Sequence, residues 1–435
     1  MLGREAMAEA TDAPHPWRVG DAVTNRWLQA VAIAIALFAV YLGTGSGSNP
    51  YNQYVRLADS FLHGRLDIRN PPDYLELARY QDGQACQGAE PGCKGYVIDP
   101  PAPAVLLIPF VVIWGVGLNQ VFVSMLFAAA AMGLFWVAAR QMGWSAPFAG
   151  AMVLLLGLGS NFWWAATDGT LWTFAHVTAV FFLMAALVEA TGARRPWLVG
   201  LLVGAAGLAR LPTFLTFPFF AYLLLEDNER PWRDMLRDGR VQTRLGVFAL
   251  ALGAMAAADL LYNFARYDTI LDKGYDHPQY VDQPWFDKGR FDISYVPRHI
   301  EAIFFKQPEL DESQFPYFRP SSAGMALSFT TPAVLYAFNT YFDRRTIAAA
   351  VALGLTAVPL VVHGTTGWAQ FGYRFSLDLL PMLVVLTAAG MRHQLSGLKW
   401  AAIGLSCIVC FWGVIYAGDT PLEHLLGYQW TVPGL

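Results

Sequence analysis

The stretch NPYNQYVRLADSFLHG (49–64), continued by YVIDPPAPA (96–104), decides how the chain is read. In its first half Tyr51, Tyr54, Val55, Ala58, Phe61 and Leu62 recur at the i, i+3, i+4, i+7 spacing that gives a helix one apolar face. Asn52, Arg56, Asp59 and His63 fall about four residues apart on the other side, so hydrogen-bonding and titratable groups form a stripe. Pro50 suits the first helical position behind Asn49 or Ser48 as cap, and Gly64 suits the end. The spacing predicts an amphipathic helix lying on a surface, in the first long polar segment of an otherwise apolar chain.

Hydrophobic residues make up 55% of the chain and charged ones 14%, against roughly 25% charged in soluble domains. Mean hydropathy is +0.37. These values predict an all-α polytopic membrane protein, and the net charge of −4 gives no footing for a nucleic-acid partner. Residues 1–26 are polar and lack a signal-peptide core, so the run 27–43 reads as a retained span behind a cytoplasmic N-terminal segment. Cys407 and Cys410 sit in an apolar run as core thiols. Cys86 and Cys93 sit in a polar loop at a spacing that permits a disulfide in an oxidising compartment.

Eleven apolar runs are long enough, or nearly so, to span: 27–43, 121–139, 147–165, 171–190, 197–211, 215–225, 245–264, 327–342, 347–362, 377–390 and 400–417. A twelfth, 103–116, has about 14 residues where roughly 20 are usual. If 103–116 spans, Arg194–Arg195, the loop from Arg230 to Arg244, Arg344–Arg345, Arg392 and Lys399 all fall outside, against the positive-inside rule. If it is re-entrant or interfacial, they all become cytoplasmic. The expectation is therefore about 11 transmembrane helices in a single domain, 27–435, with a multi-pass inner (plasma) membrane location. An outer loop at 44–119 holds the amphipathic helix and the re-entrant piece. A second outer loop lies at 267–325, short outer turns at 161–170 and 363–375, and an outer C-terminal tail at 418–435. Trp163, Trp164, Trp172, Trp285 and Trp368 cluster at these outer edges as an aromatic belt does.

One span, a long loop opening with an amphipathic helix that ends in Leu62-His63-Gly64, then Pro100-Pro101 leading a non-spanning apolar helix, resembles the GT-C superfamily. These are glycosyltransferases that use lipid-phosphate-linked sugars, among them protein O-mannosyltransferases, lipid A aminoarabinose transferases and actinobacterial arabinosyl- and mannosyltransferases. Asp168 in the turn 161–170 and the step Gly207-Leu208-Ala209-Arg210-Leu211-Pro212 are similar to features of the same family. The likeness covers 27–225, and the order of the motifs is its specific part. The resemblance implies a membrane glycosyltransferase that moves a hexosyl or pentosyl unit from a polyprenyl-phosphate donor to a glycan, glycolipid or protein acceptor, in contact with membrane lipids. Family members commonly open the first-loop helix with an acid. This chain has Asn49-Pro50-Tyr51-Asn52 there, so Asp59, Asp99 and Asp168 become the candidates for its role.

Such transfer needs a carboxylate to deprotonate an acceptor hydroxyl and cations to hold the departing phosphate. Asp59 projects from the polar stripe, and its bland alternative is a surface pair with Arg56. Asp168 lies among tryptophans suited to sugar stacking, or else caps the helix that begins beside it. Asp99 is held extended by the proline after it. Arg210 and Arg374 are isolated cations at the outer ends of spans, where a guanidinium is costly and suits phosphate, with snorkelling as the alternative. Asn52, Arg56, His63, Trp172, His176 and Tyr373 are candidate substrate contacts, His176 also being suited to a helix–helix hydrogen bond. The loop 267–325, roughly 59 residues, is too long for an idle connection. No cofactor is called for. Asp276 and His277 carry donor types a divalent cation accepts, without a diagnostic spacing.

A lipid or sugar transporter or flippase is the rival class, predicting internal repeats and midplane charges, neither of which stands out. A catalytically inactive scaffold of the same fold is the other alternative, motivated by the missing acid at the helix start.

Overall fold

The computed structural model describes residues 25–69, 71–86, 92–225, 232–312, 317–321 and 323–417. The N-terminal segment expected to be cytoplasmic lies almost wholly outside the described residues. So do the C-terminal tail 418–435 and Arg230.

Helix α1 (Arg26–Thr44) starts where the Asn25 side chain accepts from the Trp27 amide, which satisfies one of the donors a helix start leaves open. The amphipathic helix forms as α2 (Gln53–Leu62), one turn later than Pro50 suggested. The Asn49 side chain instead accepts from the Tyr51 amide in a turn, and Asn52 takes the cap position. Tyr54, Val55 and Ala58 of the expected apolar face are buried, and Gly64 follows the helix at φ +67°, closing it as read. Three short antiparallel strands follow, β1 (Ala78–Gln81), β2 (Gln84–Ala85) and β3 (Lys94–Tyr96), ordered β2-β1-β3 and stapled by a Cys86–Cys93 disulfide.

Pro100-Pro101 then lead α3 (Ala102–Trp114), whose 13 residues pack against α2. Helices α4 (Gln120–Gln141), α5 (Ala146–Gly157), α6 (Phe162–Asp168), α7 (Leu171–Thr191), α8 (Pro196–Gly207), α9 (Phe217–Leu225) and α10 (Gly239–Tyr267) succeed it. The second polar loop contains α11 (Val296–Phe304), and α12 (Arg344–Val361), α13 (Leu380–Gly390) and α14 (Gly397–Ala417) complete the described chain.

Six helices are long and apolar enough to cross a membrane: α1, α4, α7, α10, α12 and α14. A seventh is obtained if α5 and α6 count as one span bent by 53°. Eleven full-length spans are not what the described residues display. Four of the expected runs are short or broken: α8 has 12 residues, and 3-10 segments Leu211–Thr216, Pro332–Asn339 and Arg374–Leu379 replace part of the other three. Pro212, Pro332 and Pro381 each remove a backbone donor at these breaks, and charged side chains sit beside two of them, the partly buried Arg210 and the buried Asp378.

The core lies around α4 and α7, which are mostly buried, while α1 and α10 show most of their apolar surface at the perimeter. Small residues set the closest approaches. A Cβ on Gly204 of α8 would stand 2.4 Å from Met255 Cβ of α10. Gly169, at φ +57°, joins α6 to α7 where a Cβ would meet Val121 Cα at 2.6 Å, so both the turn and the packing demand glycine.

The polar segments gather at one end of the helices. Tyr80 donates to the Lys273 carbonyl, Asn161 to the Tyr373 carbonyl and Arg298 to the Gly364 carbonyl, tying together the first loop, the 161–170 turn, the second loop and the 363–375 turn.

Candidate active site

These segments enclose a cavity of about 1250 Å³. Three carboxylates line it (Glu76, Asp99 and Asp168), and so do three guanidinium groups (Arg210, Arg290 and Arg374). Trp164, Trp172, Trp285 and Trp368 give it aromatic walls, and Leu211, Leu215 and Leu360 make one side apolar.

Asp99 is held by the chain entering α3. The Tyr275 hydroxyl donates to its Oδ1 over 3.2 Å, and its buried Oδ2 has no hydrogen-bond partner among the described residues. Burial pushes the Asp99 carboxyl above its ordinary range, opposed in part by the Arg210 charge. Glu76 is raised by burial and then by the negative charge of Asp99. Asp168 ends α6, and its Oδ2 accepts from the hydroxyls of Thr170 (2.6 Å) and Thr173 (2.8 Å) at the start of α7. Thr170 holds the cap position of α7 without a side-chain cap bond, so Asp168 ties the α6–α7 turn through the two hydroxyls and does not cap α7 itself, while lining the cavity.

Arg210 and Arg374 approach the Phe375 ring at 5.5 and 5.6 Å from its centroid. Arg210 lies on Asp378, with Nη2 at 3.1 Å from Oδ2, and Asp378 in turn accepts from His176 Nδ1 at 2.7 Å. Arg374 donates to the Trp368 carbonyl, while its Nε is buried without a partner among the described residues. Burial, then the Arg210 charge, lower the Arg374 guanidinium to about 10. Arg290 is paired with Asp272 at 3.0 Å and stacked on Tyr275. Among the described residues Arg374 is therefore a cavity-lining cation without a carboxylate pair, and Arg210 is aimed by one.

Of the residues singled out in the sequence, Asp99, Asp168, Arg210, Arg374 and Trp172 meet at the cavity. The stripe of Asn52, Arg56, Asp59 and His63 does not line it. Arg56 Nε donates to Asn52 Oδ1, and the ring of His63 turns back on Asp59. His176 is buried beside Arg210 rather than in the lining. Tyr373 is buried too, its hydroxyl 2.8 Å from Nδ1 of His299. Because His299 Nε2 faces the His363 carbonyl and must donate, Nδ1 accepts from Tyr373, in keeping with the neutral ring that burial favours. His277 is spent structurally: Nε2 faces the Arg79 carbonyl and Nδ1 accepts from the Gln279 amide, leaving neither nitrogen for a cation. Among the described residues no three His, Cys, Asp or Glu side chains cluster as metal ligands do.

Glu76, Arg290, Tyr280, His363 and Asp378 escaped the sequence reading, whereas Tyr275 belongs to the loop 267–325 whose aromatic rings and carboxylates suit an acceptor carbohydrate by sequence. Asp378 carried the one available signal, a lone acid in the apolar run Leu377-Asp378-Leu379.

No protein-family model matches the chain, and no curated protein does. Among solved structures it is similar to ArnT from Cupriavidus metallidurans, determined as a crystal structure bound to undecaprenyl phosphate. The TM-score is 0.50 at 15% identity, covering 89% of this chain and 62% of that one. The chain thus spans less than two thirds of ArnT, and the likeness is one of fold. It agrees in fold with the resemblance read from the order of motifs over 27–225.

Proposed function

We propose that this protein is a membrane glycosyltransferase that moves a hexosyl or pentosyl unit from a polyprenyl-phosphate donor to an acceptor hydroxyl. The acceptor is a glycan, glycolipid or protein at the outer face of the inner membrane. In this reading the short and broken helices α8, α9 and α13 and the 327–342 run complete eleven crossings, with α3 re-entrant. The N-terminus is cytoplasmic. One observation carries the proposal: Arg210 and Arg374 flank Phe375 in the same cavity as Asp99 and Asp168, with apolar Leu211, Leu215 and Leu360 alongside. Guanidinium groups at a membrane boundary recognise phosphate, and an apolar flank suits a polyprenyl chain. The undecaprenyl phosphate bound to ArnT fits the same chemistry.

The acceptor oxygen attacks the anomeric carbon as its proton passes to a carboxylate. The bond from that carbon to the phosphate oxygen breaks, and its electron pair leaves with the phosphate, which Arg210 and Arg374 hold. Asp99 takes the proton in this scheme because its Oδ2 is unpartnered and its raised affinity for protons suits a base. Asp168, already loaded with hydroxyl donors, orients the sugar. Asp59 has no part in the scheme.

The test is transfer of labelled sugar from polyprenyl-phosphate donors by protein in proteoliposomes, comparing wild type with Asp99→Asn and Arg374→Gln. Loss of transfer with folding retained supports the enzyme. Absence of turnover by wild type with every donor, alongside donor binding, would replace it with the transporter or scaffold reading.

A further inference from the structure

A second cavity, of about 520 Å³, lies on the flank of the first loop, lined by Arg65, Asp67, Arg69, Lys94, Tyr96 and Ala265 among others. Its geometry follows from one antiparallel bridge. Ile68 pairs with Gly95, its amide donating to the Gly95 carbonyl at 2.8 Å, which sets Arg69 directly opposite Lys94 and Asp67 opposite Tyr96 on the same face. Two cations directly opposite each other repel. Arg65 adds a third, with its Nη1 buried and unpartnered among the described residues. Among the described residues no ion pair joins any of the three to an acid. Three cations against one carboxylate in a concavity form an anion site.

What lies next to it narrows the anion. Ala265 is in the last turn of α10, a membrane-length helix, and Leu261 is one turn back on the same face. Leu261 is 67% exposed and neighbouring Phe264 54% exposed, so an apolar track runs from the cationic pocket down the helix. We propose that this pocket binds the phosphate of an anionic membrane lipid, with the acyl chains against Leu261 and Phe264. The lipid seats the disulfide-closed hairpin on α10 and is separate from any ligand of the main cavity, since the two linings share no residue.

The experiment uses the full chain in detergent micelles containing phosphatidylglycerol or phosphatidylcholine, with bound lipid counted by native mass spectrometry. Wild type is expected to retain phosphatidylglycerol over phosphatidylcholine, and Lys94→Gln and Arg69→Gln each to lower that retention roughly fivefold. Lys94→Gln also serves as the folding control. It relieves the repulsion with Arg69, so in lipid-free detergent it should melt no lower than wild type. Unchanged phosphatidylglycerol retention in both variants would overturn the proposal. So would an equal loss in Arg374→Gln, which would put the lipid in the main cavity. Complete displacement of the lipid by millimolar inorganic phosphate would overturn it as well, marking a free-phosphate site.

Discussion

Nδ1 of His176 lies 2.7 Å from Oδ1 of Asp378, a contact across 202 positions of sequence between two side chains closed to solvent. Arg210 bonds the same carboxylate through Nε and Nη2. The acid is thus shared by a neutral-or-charged donor and a permanent cation, and its geometry fixes where the guanidinium enters the cavity. In the proposed reaction Asp378 acts through Arg210, as a positioning residue.

Replacing Asp378 by Asn keeps shape and removes the charge that offsets Arg210. Breaking a buried pair from one side typically costs about 3–5 kcal/mol, so thermal unfolding in detergent should show a marked loss of stability. In the transfer assay the misplaced guanidinium should lower kcat/KM by around 10²-fold. His176→Gln, which leaves the Arg210–Asp378 pair intact, should be milder in both. Equal effects from the two substitutions would show that the pair does not carry the positioning.

Asp99 and Asp168 make a discriminating comparison. Asp99→Asn should reduce transfer by about 10²- to 10⁴-fold, the usual share of a general base, with little change in melting. Asp168→Asn keeps an acceptor for Thr170 and Thr173, whereas Asp168→Ala leaves both hydroxyls without it and should cost about 1–3 kcal/mol. If Asp99→Asn retains full transfer and Asp168→Asn abolishes it, the two roles are exchanged.

Stability against pH has a worked sign at His363. Burial lowers its ring to about 4, from about 6.5 when unfolded. Between those values the unfolded chain binds a proton that the folded chain refuses. The contribution is therefore complete above about pH 6.5 and is lost as pH falls towards 4. His277 and His299 are lowered by burial in the same sense, and Glu76 and Asp99 are raised, which works the opposite way. Melting measured from pH 7 to pH 4 should fall less steeply in His363→Gln than in wild type. Parallel curves would show that His363 is freely protonated in the folded protein.

What the sequence disclosed follows from what periodicity can carry. The apolar face of α2, the short α3 behind Pro100-Pro101 and the placing of Arg210 and Arg374 beside spans were all legible, because each is a local pattern or a local cost. Asp59 stood on a well-formed polar stripe, yet a stripe records which side of a helix is polar and not what that side faces. The cavity lies elsewhere. Asp378 was hidden in a run read as a span, and its meaning depends on Arg210, 168 positions away. Glu76 and Tyr275 belong to loops whose folding together no spacing announces. The described helices of spanning length are fewer than eleven for a physical reason: hydropathy sums over Pro212, Pro332 and Pro381 as if the helix continued through them.

The Cys86–Cys93 disulfide closes a loop with sequence separation 7, beside strands that hold the second loop. Tyr80 of β1 donates to the Lys273 carbonyl, and His277 meets the Arg79 carbonyl, so β1 anchors the segment that carries Tyr275 to Asp99. For so short a loop the chain-entropy expression gives about 2–3 kcal/mol. Cys86→Ser with Cys93→Ser should therefore raise amide exchange over 78–96 and 272–281 while leaving the α4–α7 core protected. Transfer should fall because Asp99 loses a fixed donor. The check is exchange measured by mass spectrometry on oxidised wild type and the double variant. Faster exchange confined to 78–96, with 272–281 unchanged, would show that the disulfide steadies the hairpin alone and that the path from β1 to Asp99 is not coupled.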